Sequence, residues 1–303
     1  MNTVLKGIDK SGSYRVYLTI STELVEKARK IHNTSPLATA GLGRVLTGAG
    51  LMGLLLKNKE DKLTVQFKGE GPAKMILATA YADGRVKGYI ANPDVDLPLR
   101  DDNHLDVGGS LGIGQLTVIK DLGLKEPYIG KIDLVTGEIA DDLTAYYYIS
   151  EQQNSSVALG VKIDRDLSVR CAGGMIIQML PDFKEEAVDA LEDMLRDLPP
   201  LTSLIDDLMK EGLLSDKGMI DGLKEKIFGN MPEDFKVETL GYDQIRWECD
   251  CSKEKMEKGL MTIGKRDLQE IIEEDGQAEL VCQFCESKYH FTKEELEKIK
   301  ENM

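Results

Sequence analysis

The chain has 303 residues, of which 42% are hydrophobic and 30% charged, and its formal net charge is −15. This composition is typical of soluble globular proteins, and the length suffices for one well-filled core plus a smaller domain. The acidic balance argues against a protein that coats nucleic acid or an anionic membrane, because both partners require a basic surface.

The N-terminal stretch MNTVLKGIDKSGSYRVYLTI is charged throughout and does not resemble a signal peptide. We therefore expect a cytoplasmic protein, in a compartment where structural disulfides are rare. The most apolar stretch, residues 37–56, is long enough to span a bilayer, but it contains Arg44 and five glycines. A buried helix of a soluble protein is the better interpretation, and a membrane span is the alternative.

Residues 1–180 show a mixed pattern of strands, turns and helices. Residues 14–20 have strand propensity, residues 21–33 begin like a capped helix, and several later apolar runs are separated by Gly- and Asp-rich turns. Because strands and helices do not alternate strictly, the pattern predicts an α+β fold, with an N-terminal domain of packed β-sheets and helices. The GGSLGIG stretch at 108–114 lacks the order of a nucleotide-binding loop and is predicted to be a β-turn.

Residues 181–232 form a run of short amphipathic segments, interrupted by prolines and glycines. None is long enough to be a stable helix alone in water, so each must dock its apolar stripe on another part of the protein. We interpret this region as a helical linker.

Residues 233–303 contain few apolar residues and four of the five cysteines. So thin a core usually needs a disulfide or a metal. The cysteines occur as Cys249-x-Cys251 and Cys282-x-x-Cys285, and the second spacing is typical of two sulfurs that share one metal. A four-thiolate zinc site is favoured. An iron–sulfur cluster fits the Cys-x-Cys spacing poorly. Four unrelated buried thiols would not explain why the cysteines occur in two close pairs.

The remaining cysteine and the histidines have simpler interpretations. Cys171 lies in an apolar run and is expected to be a buried small residue. His290 lies near the second pair, but four cysteines already complete the coordination shell. His32 and His104 have no matching acid or nucleophile in the sequence.

A zinc site of this kind predicts a sensitivity to oxidants. Zinc–sulfur bonds of about 2.3 Å place neighbouring sulfurs roughly 3.8 Å apart, so a thiolate oxidised to a sulfenic acid has a resolving thiol beside it. Loss of zinc would remove a stabilisation of about 10–16 kcal/mol from a small module. The module would then unfold, and the linker helices could lose a docking surface.

The motifs resemble those of a known family, the bacterial redox-regulated heat-shock chaperones of about 33 kDa. The similarity covers nearly the whole chain and includes SPLATAGLGRVLTGAGLM, FKGEGP, DGRVKGYIANP, YYYISEQQNSSVALGV, AGGMIIQMLP and the C-terminal stretch from CDCSKEKMEKGL to EEDGQAELVCQFCESKYHF. The resemblance implies a reduced, zinc-bound, inactive form with Cys249, Cys251, Cys282 and Cys285 as ligands. It further implies that oxidation releases zinc and forms the disulfides Cys249–Cys251 and Cys282–Cys285.

The same resemblance implies a holdase that binds unfolding client proteins without ATP, is not an enzyme, and forms a homodimer on activation. A zinc-ribbon adaptor that binds nucleic acid or a translation factor is the alternative binding module, and a zinc enzyme would need an open coordination position that four cysteines do not leave. The linker supplies candidate client-binding residues, expected to be buried in the reduced form: Val188, Leu191, Leu195, Leu198, Leu204, Ile205 and Leu208. Ordinary helix packing without a client role is the alternative for these residues.

Overall fold

The structure is a computed structural model that describes residues 2–213 and 215–303. It divides into two compact units, of which the first ends at Trp247 and the second comprises Glu248–Met303. Both units combine helices with antiparallel strands, which confirms the predicted α+β class.

The first unit contains a five-stranded antiparallel sheet in the spatial order β10-β1-β2-β9-β8. Its strands are β1 (Thr3–Asp9), β2 (Tyr14–Ile20), β8 (Ser155–Ile163), β9 (Val169–Met179) and β10 (Val237–Gln244). The interior strand β9, between β2 and β8, is buried along nearly its whole length, as a strand with both faces covered must be. Both sides of this sheet therefore contribute to apolar cores.

A second sheet of six strands has the order β11-β5-β4-β3-β6-β7. Its strands are β3 (Lys62–Gly69), β4 (Met75–Tyr81), β5 (Arg85–Ile90), β6 (Gly114–Asp121), β7 (Tyr128–Asp133) and β11 (Arg246–Trp247). β11 is parallel to β5, whereas the other pairs are antiparallel. Residues alternate between buried and more exposed along β3 and β5, so this sheet faces a core on one side only.

The helix α2 (Pro36–Leu54) packs against strands of both sheets and forms the centre of the larger core. It is long and apolar enough to cross a membrane, but 89% of its most apolar window is buried inside the fold. Its glycines permit this close packing: a Cβ at Gly43 would lie 2.5 Å from Val25, and one at Gly48 2.8 Å from Leu143. The structure thus favours the buried helix over the membrane span.

Three further helices complete this part of the first unit: α1 (Thr22–His32), α3 (Val107–Leu111) and α4 (Ala140–Glu151). The β-turn predicted at residues 108–114 is wrong, because α3 occupies most of that stretch and β6 begins at its end. The Asp106 side chain accepts a hydrogen bond from the Gly109 amide and starts the helix, and Gly112 ends it at a positive φ of 65°.

The predicted linker folds as three helices, α5 (Glu185–Asp197), α6 (Leu201–Lys210) and α7 (Asp216–Phe228). Together they cover the face of the five-stranded sheet that points away from α2, where Leu5, Leu18 and Met175 belong to the same apolar cluster as the helices. Leu214, within the predicted linker, lies outside the described residues.

The predicted division at 181 and 233 into core, linker and zinc domain stays a prediction. The strands β10 and β11, which it assigns to the C-terminal domain, are hydrogen-bonded to β1 and β5 of the first unit.

The second unit consists of α8 (Lys253–Met261), α9 (Lys265–Glu274), the hairpin β12 (Gln277–Val281) and β13 (Lys288–Thr292), and α10 (Lys293–Glu301). Its buried core is small: Leu260, Leu268, Ile272, Phe291, Leu296 and Ile299. So few buried side chains are typical of small domains that depend on a metal or disulfide for stability.

Candidate metal centre

The first cysteine pair lies on a short extended segment between β11 and α8. Ser252 follows Cys251 directly and accepts a hydrogen bond from the Lys255 amide, so α8 begins immediately after the pair. Helix capping therefore fixes the end of the segment that presents Cys249 and Cys251.

The second pair lies in the turn of the β12–β13 hairpin. The Cys282 amide donates to the Ser287 carbonyl at 2.9 Å, and the Glu286 amide donates to the Cys282 carbonyl at 2.8 Å. Glu286 adopts a positive φ of 58°, which lets the chain reverse tightly. This turn brings Cys282 and Cys285 to the same side of the hairpin end.

The structure brings all four predicted cysteines together, with their sulfur atoms within 4.8 Å of one another. Across the pairs, Cys249 Sγ lies 3.7 Å from Cys282 Sγ, and Cys251 Sγ lies 3.3 Å from Cys285 Sγ. Sulfurs at the corners of a tetrahedron around one metal would be separated by roughly 3.8 Å, given zinc–sulfur bonds of about 2.3 Å. Four soft thiol donors at these spacings fit a tetrahedral metal ion.

The four thiols differ in their surroundings. Burial raises the pKa of Cys249 and that of Cys282. Burial acts in the same direction on Cys285, but hydrogen bonds from the side chain and amide of Ser287 outweigh it and lower the pKa of this thiol to about 7. Without a metal, Cys285 is the more readily ionised member of its pair.

Two hydroxyl groups of the second unit contact these sulfurs. The Tyr289 hydroxyl lies 3.0 Å from Cys251 Sγ, and the Ser287 hydroxyl lies 3.3 Å from Cys285 Sγ. The contact with Cys251 raises the pKa of the Tyr289 hydroxyl, which keeps the phenol protonated and able to donate. The sequence analysis identified neither hydroxyl, although both lie within seven residues of Cys282.

The fifth cysteine and the histidines make their contacts with other residues. Cys171 is fully buried, its sulfur is 3.4 Å from the Thr202 carbonyl of α6, and burial raises its pKa to about 11. His290 is exposed and contacts Glu279, while His104 pairs with Asp102. His32 packs edge-on against Trp247.

Six of the seven linker candidates belong to the apolar cluster beneath the helices or line its border, and Val188 is the exception. Leu191, Ile205 and Leu208 are buried, and the other four are half-buried. Several other linker residues are also buried but were not among the predicted client-binding candidates: Ala187, Leu201, Met219, Ile220, Leu223, Ile227 and Phe228. Their contacts with the sheet show that α7 contributes as much to this layer as α5 and α6.

Comparisons with known proteins agree with the geometry. The family model described as "Hsp33 protein" matches residues 2–292. The chain is 44% identical over 300 residues to the 33 kDa chaperonin of Alkaliphilus oremlandii, covering 99% of this chain and 96% of that protein. It is 45% identical over 295 residues to the 33 kDa chaperonin of Clostridium tetani, covering 97% and 96%.

A similar fold is known from a crystal structure. The 33 kDa chaperonin of Thermotoga maritima superposes with a TM-score of 0.86 at 35% sequence identity, over 99% of this chain and 98% of that one. The match extends over both units of the present chain.

Proposed function

This chain belongs to the Hsp33 family, and from that premise we propose that it is a redox-regulated holdase that is inactive when reduced and zinc-bound. Membership of this chaperone family supports a chaperone role for unfolded client proteins. The observation that carries the redox part of the proposal is the cluster of four thiols within 4.8 Å in a unit with a very small core.

The metal proposed for this cluster is one Zn²⁺ per chain, bound by Cys249, Cys251, Cys282 and Cys285. Four thiolates complete a tetrahedral shell and leave no open position, as in structural rather than catalytic zinc sites. Zinc would supply a crosslink between the segment before α8 and the β12–β13 turn. Binding free energies of about 10–16 kcal/mol for such sites exceed what six buried side chains provide, so the folded unit depends on the metal.

Oxidation is proposed to convert the ligands into the disulfides Cys249–Cys251 and Cys282–Cys285. A thiolate attacks a peroxide oxygen, the oxygen–oxygen bond breaks, and the sulfur becomes a sulfenic acid. The neighbouring thiol then displaces water to form the disulfide. Each disulfide removes two of the four ligands, so the crosslink between the two segments is lost and the zinc domain, residues 233–303 in the predicted division, unfolds.

The linker, residues 181–232, is proposed to follow. Its three helices bury apolar side chains against the five-stranded sheet, and none of them is long enough to persist without that contact. Unfolding of the linker would expose Val188, Leu191, Leu195, Leu198, Leu204, Ile205 and Leu208, and with them the covered face of the core domain, residues 1–180. These surfaces are the proposed client-binding sites.

The remaining parts of the proposal go beyond what family membership supports. We propose that the protein acts in the cytoplasm without ATP, has no catalytic activity, dimerises on activation, and uses neither nucleic acid nor membrane as a partner. Among the proposed partners, only the unfolded client proteins have support from the family itself.

One experiment tests the central steps together. Zinc bound to the reduced protein is released with peroxide at mild heat and measured with a chromogenic chelator, while light scattering follows the aggregation of a thermally unfolding client. We expect one zinc per chain before oxidation, its loss on oxidation, and suppression of aggregation only afterwards. Cys171→Ser is the matched control and should preserve both responses. Oxidised protein that keeps its zinc and leaves aggregation unchanged contradicts the proposal.

A further inference from the structure

We propose that Tyr289 is a positioning residue for the metal centre, which holds Cys251 through a hydrogen bond and slows the oxidation of the Cys249/Cys251 pair. This inference rests on the proposed function, because it assigns a control element to the same thiol switch. It concerns a residue outside both cysteine motifs.

The position of Tyr289 is set by the hairpin. It is the second residue of β13, opposite Leu280 of β12, and its ring is half-buried beside the apolar core of the second unit. From there its hydroxyl reaches 3.0 Å to Cys251, on the far segment of the chain. Tyr289 is the one tyrosine in the sequence after residue 242, so no other phenol of this unit can replace it.

The direction of the hydrogen bond follows from the chemistry of the ligand. A thiolate that binds a metal has no proton, so the tyrosine hydroxyl must be the donor and the sulfur the acceptor. A hydrogen bond to an ionised acceptor is stronger than one between neutral groups. It draws electron density from the sulfur lone pair that would attack a peroxide, and it orients the thiolate toward the metal.

The two cysteine pairs are therefore restrained by different hydroxyls. Ser287 contacts Cys285 at 3.3 Å, with a short side chain in the same tight turn, whereas Tyr289 connects the hairpin to the opposite pair. Removal of the Tyr289 hydroxyl should affect the Cys249/Cys251 pair, and removal of the Ser287 hydroxyl should affect the Cys282/Cys285 pair. A residue with only a structural role would not separate the two pairs in this way.

The test compares Tyr289→Phe with Ser287→Ala in the zinc-loaded full chain. Each protein is treated with peroxide, and isotope-coded alkylation with mass spectrometry gives the rate of thiol loss at each cysteine. Loss of an outer hydrogen bond to a metal ligand typically costs 10- to 100-fold in metal affinity. For Tyr289→Phe we expect about 10-fold weaker zinc binding and selectively faster oxidation of Cys249 and Cys251. Ser287→Ala should instead accelerate Cys282 and Cys285.

Cobalt substitution gives a second readout. With Co²⁺ in place of zinc, the sulfur-to-metal charge-transfer band should move to lower energy in Tyr289→Phe, because the sulfur donates more strongly without the hydrogen bond. Suppose that the wild-type chain binds zinc and is activated by peroxide. If Tyr289→Phe then leaves both the oxidation rate of each cysteine and the charge-transfer band unchanged, this inference alone is overturned. A wild-type chain that binds no metal overturns both this inference and the proposed function.

Discussion

A charged contact between the linker and the sheet makes a specific prediction for Asp206. This α6 carboxylate is only 8% exposed, and it accepts hydrogen bonds from Lys162 of β8 at 3.1 Å and from Arg170 of β9 at 2.6 Å. The contact with Lys162, followed by that with Arg170, lowers the pKa of Asp206 to about 2. The carboxylate thus fastens α6 to the two strands that it covers.

The size of this effect follows from the pKa. A decrease from 3.8 to about 2 is close to two units, and each unit corresponds to about 1.36 kcal/mol, so the charged form of Asp206 contributes about 2 kcal/mol to the docked state. Asp206→Asn keeps the size of the side chain and removes the charge. A loss of about 2 kcal/mol would raise the undocked population of α6 roughly 30-fold.

Hydrogen exchange of the reduced, zinc-loaded protein at neutral pH measures this population directly. We expect α6 amides to lose protection in Asp206→Asn, and aggregation of a client to be partly suppressed without oxidant, while zinc stays bound. Asp207→Asn is the matched control, since Asp207 is exposed on the same helix and pairs with the exposed Lys210. Equal α6 protection in the two variants would refute the idea that the Asp206 charge holds the linker on the sheet.

Three further predictions concern the metal, the fifth cysteine and acid. A strong chelator under reducing conditions should abolish exchange protection in Glu248–Met303 and leave the strands β3 and β4 protected, as followed by hydrogen exchange. Cys171 should resist alkylation in the reduced protein and become labelled after peroxide treatment, because the α6 carbonyl that contacts it moves away with the linker. Since the pKa of Asp206 is depressed, its stabilisation is complete above about pH 4 and is lost as the pH falls through about 2. In Asp206→Asn this contribution to the acid-induced loss of α6 protection should be absent.

The cysteine cluster could be predicted from the sequence because its signal is local. Each pair is defined by one or two intervening residues, and a thin apolar core around them already indicates a domain that needs a metal. The sequence also indicated the buried α2, because the charged Arg44 is unusual in a membrane span.

The Asp206 contact could not be predicted in the same way. Its partners Lys162 and Arg170 lie 44 and 36 residues away along the chain, and their approach depends on the docking of α6 across the sheet. Asp206 itself stands in an acidic helix, where the amphipathic pattern would place it toward solvent. The short helix α3 is different: Asp106 three residues before Gly109 is a helix-start signal that was present in the sequence.

In the proposed switch, the spacing of the cysteines would decide which of two oxidised forms opens the unit. Sulfurs of different pairs lie 3.7 and 3.3 Å apart, and disulfides between them would join residues 33 or 34 positions apart. In the chain-entropy model a loop of that length stabilises the folded state by about 4 kcal/mol, whereas a loop of three residues contributes roughly 1.5 kcal/mol. Disulfides across the pairs would therefore replace the crosslink that zinc provides, and the unit would stay closed.

Disulfides within each pair have the opposite consequence, and the chain favours their formation. In the proposed oxidation, Cys251 stays two positions from Cys249 along the chain, whereas a partner more than thirty residues away would be free to separate from it as the small core loosens. The sulfenic acid is then resolved by its neighbour, and the two segments lose their last connection. In the proposed switch, a close pair of cysteines at each end of the site would thus let oxidation open the unit and would prevent it from closing again.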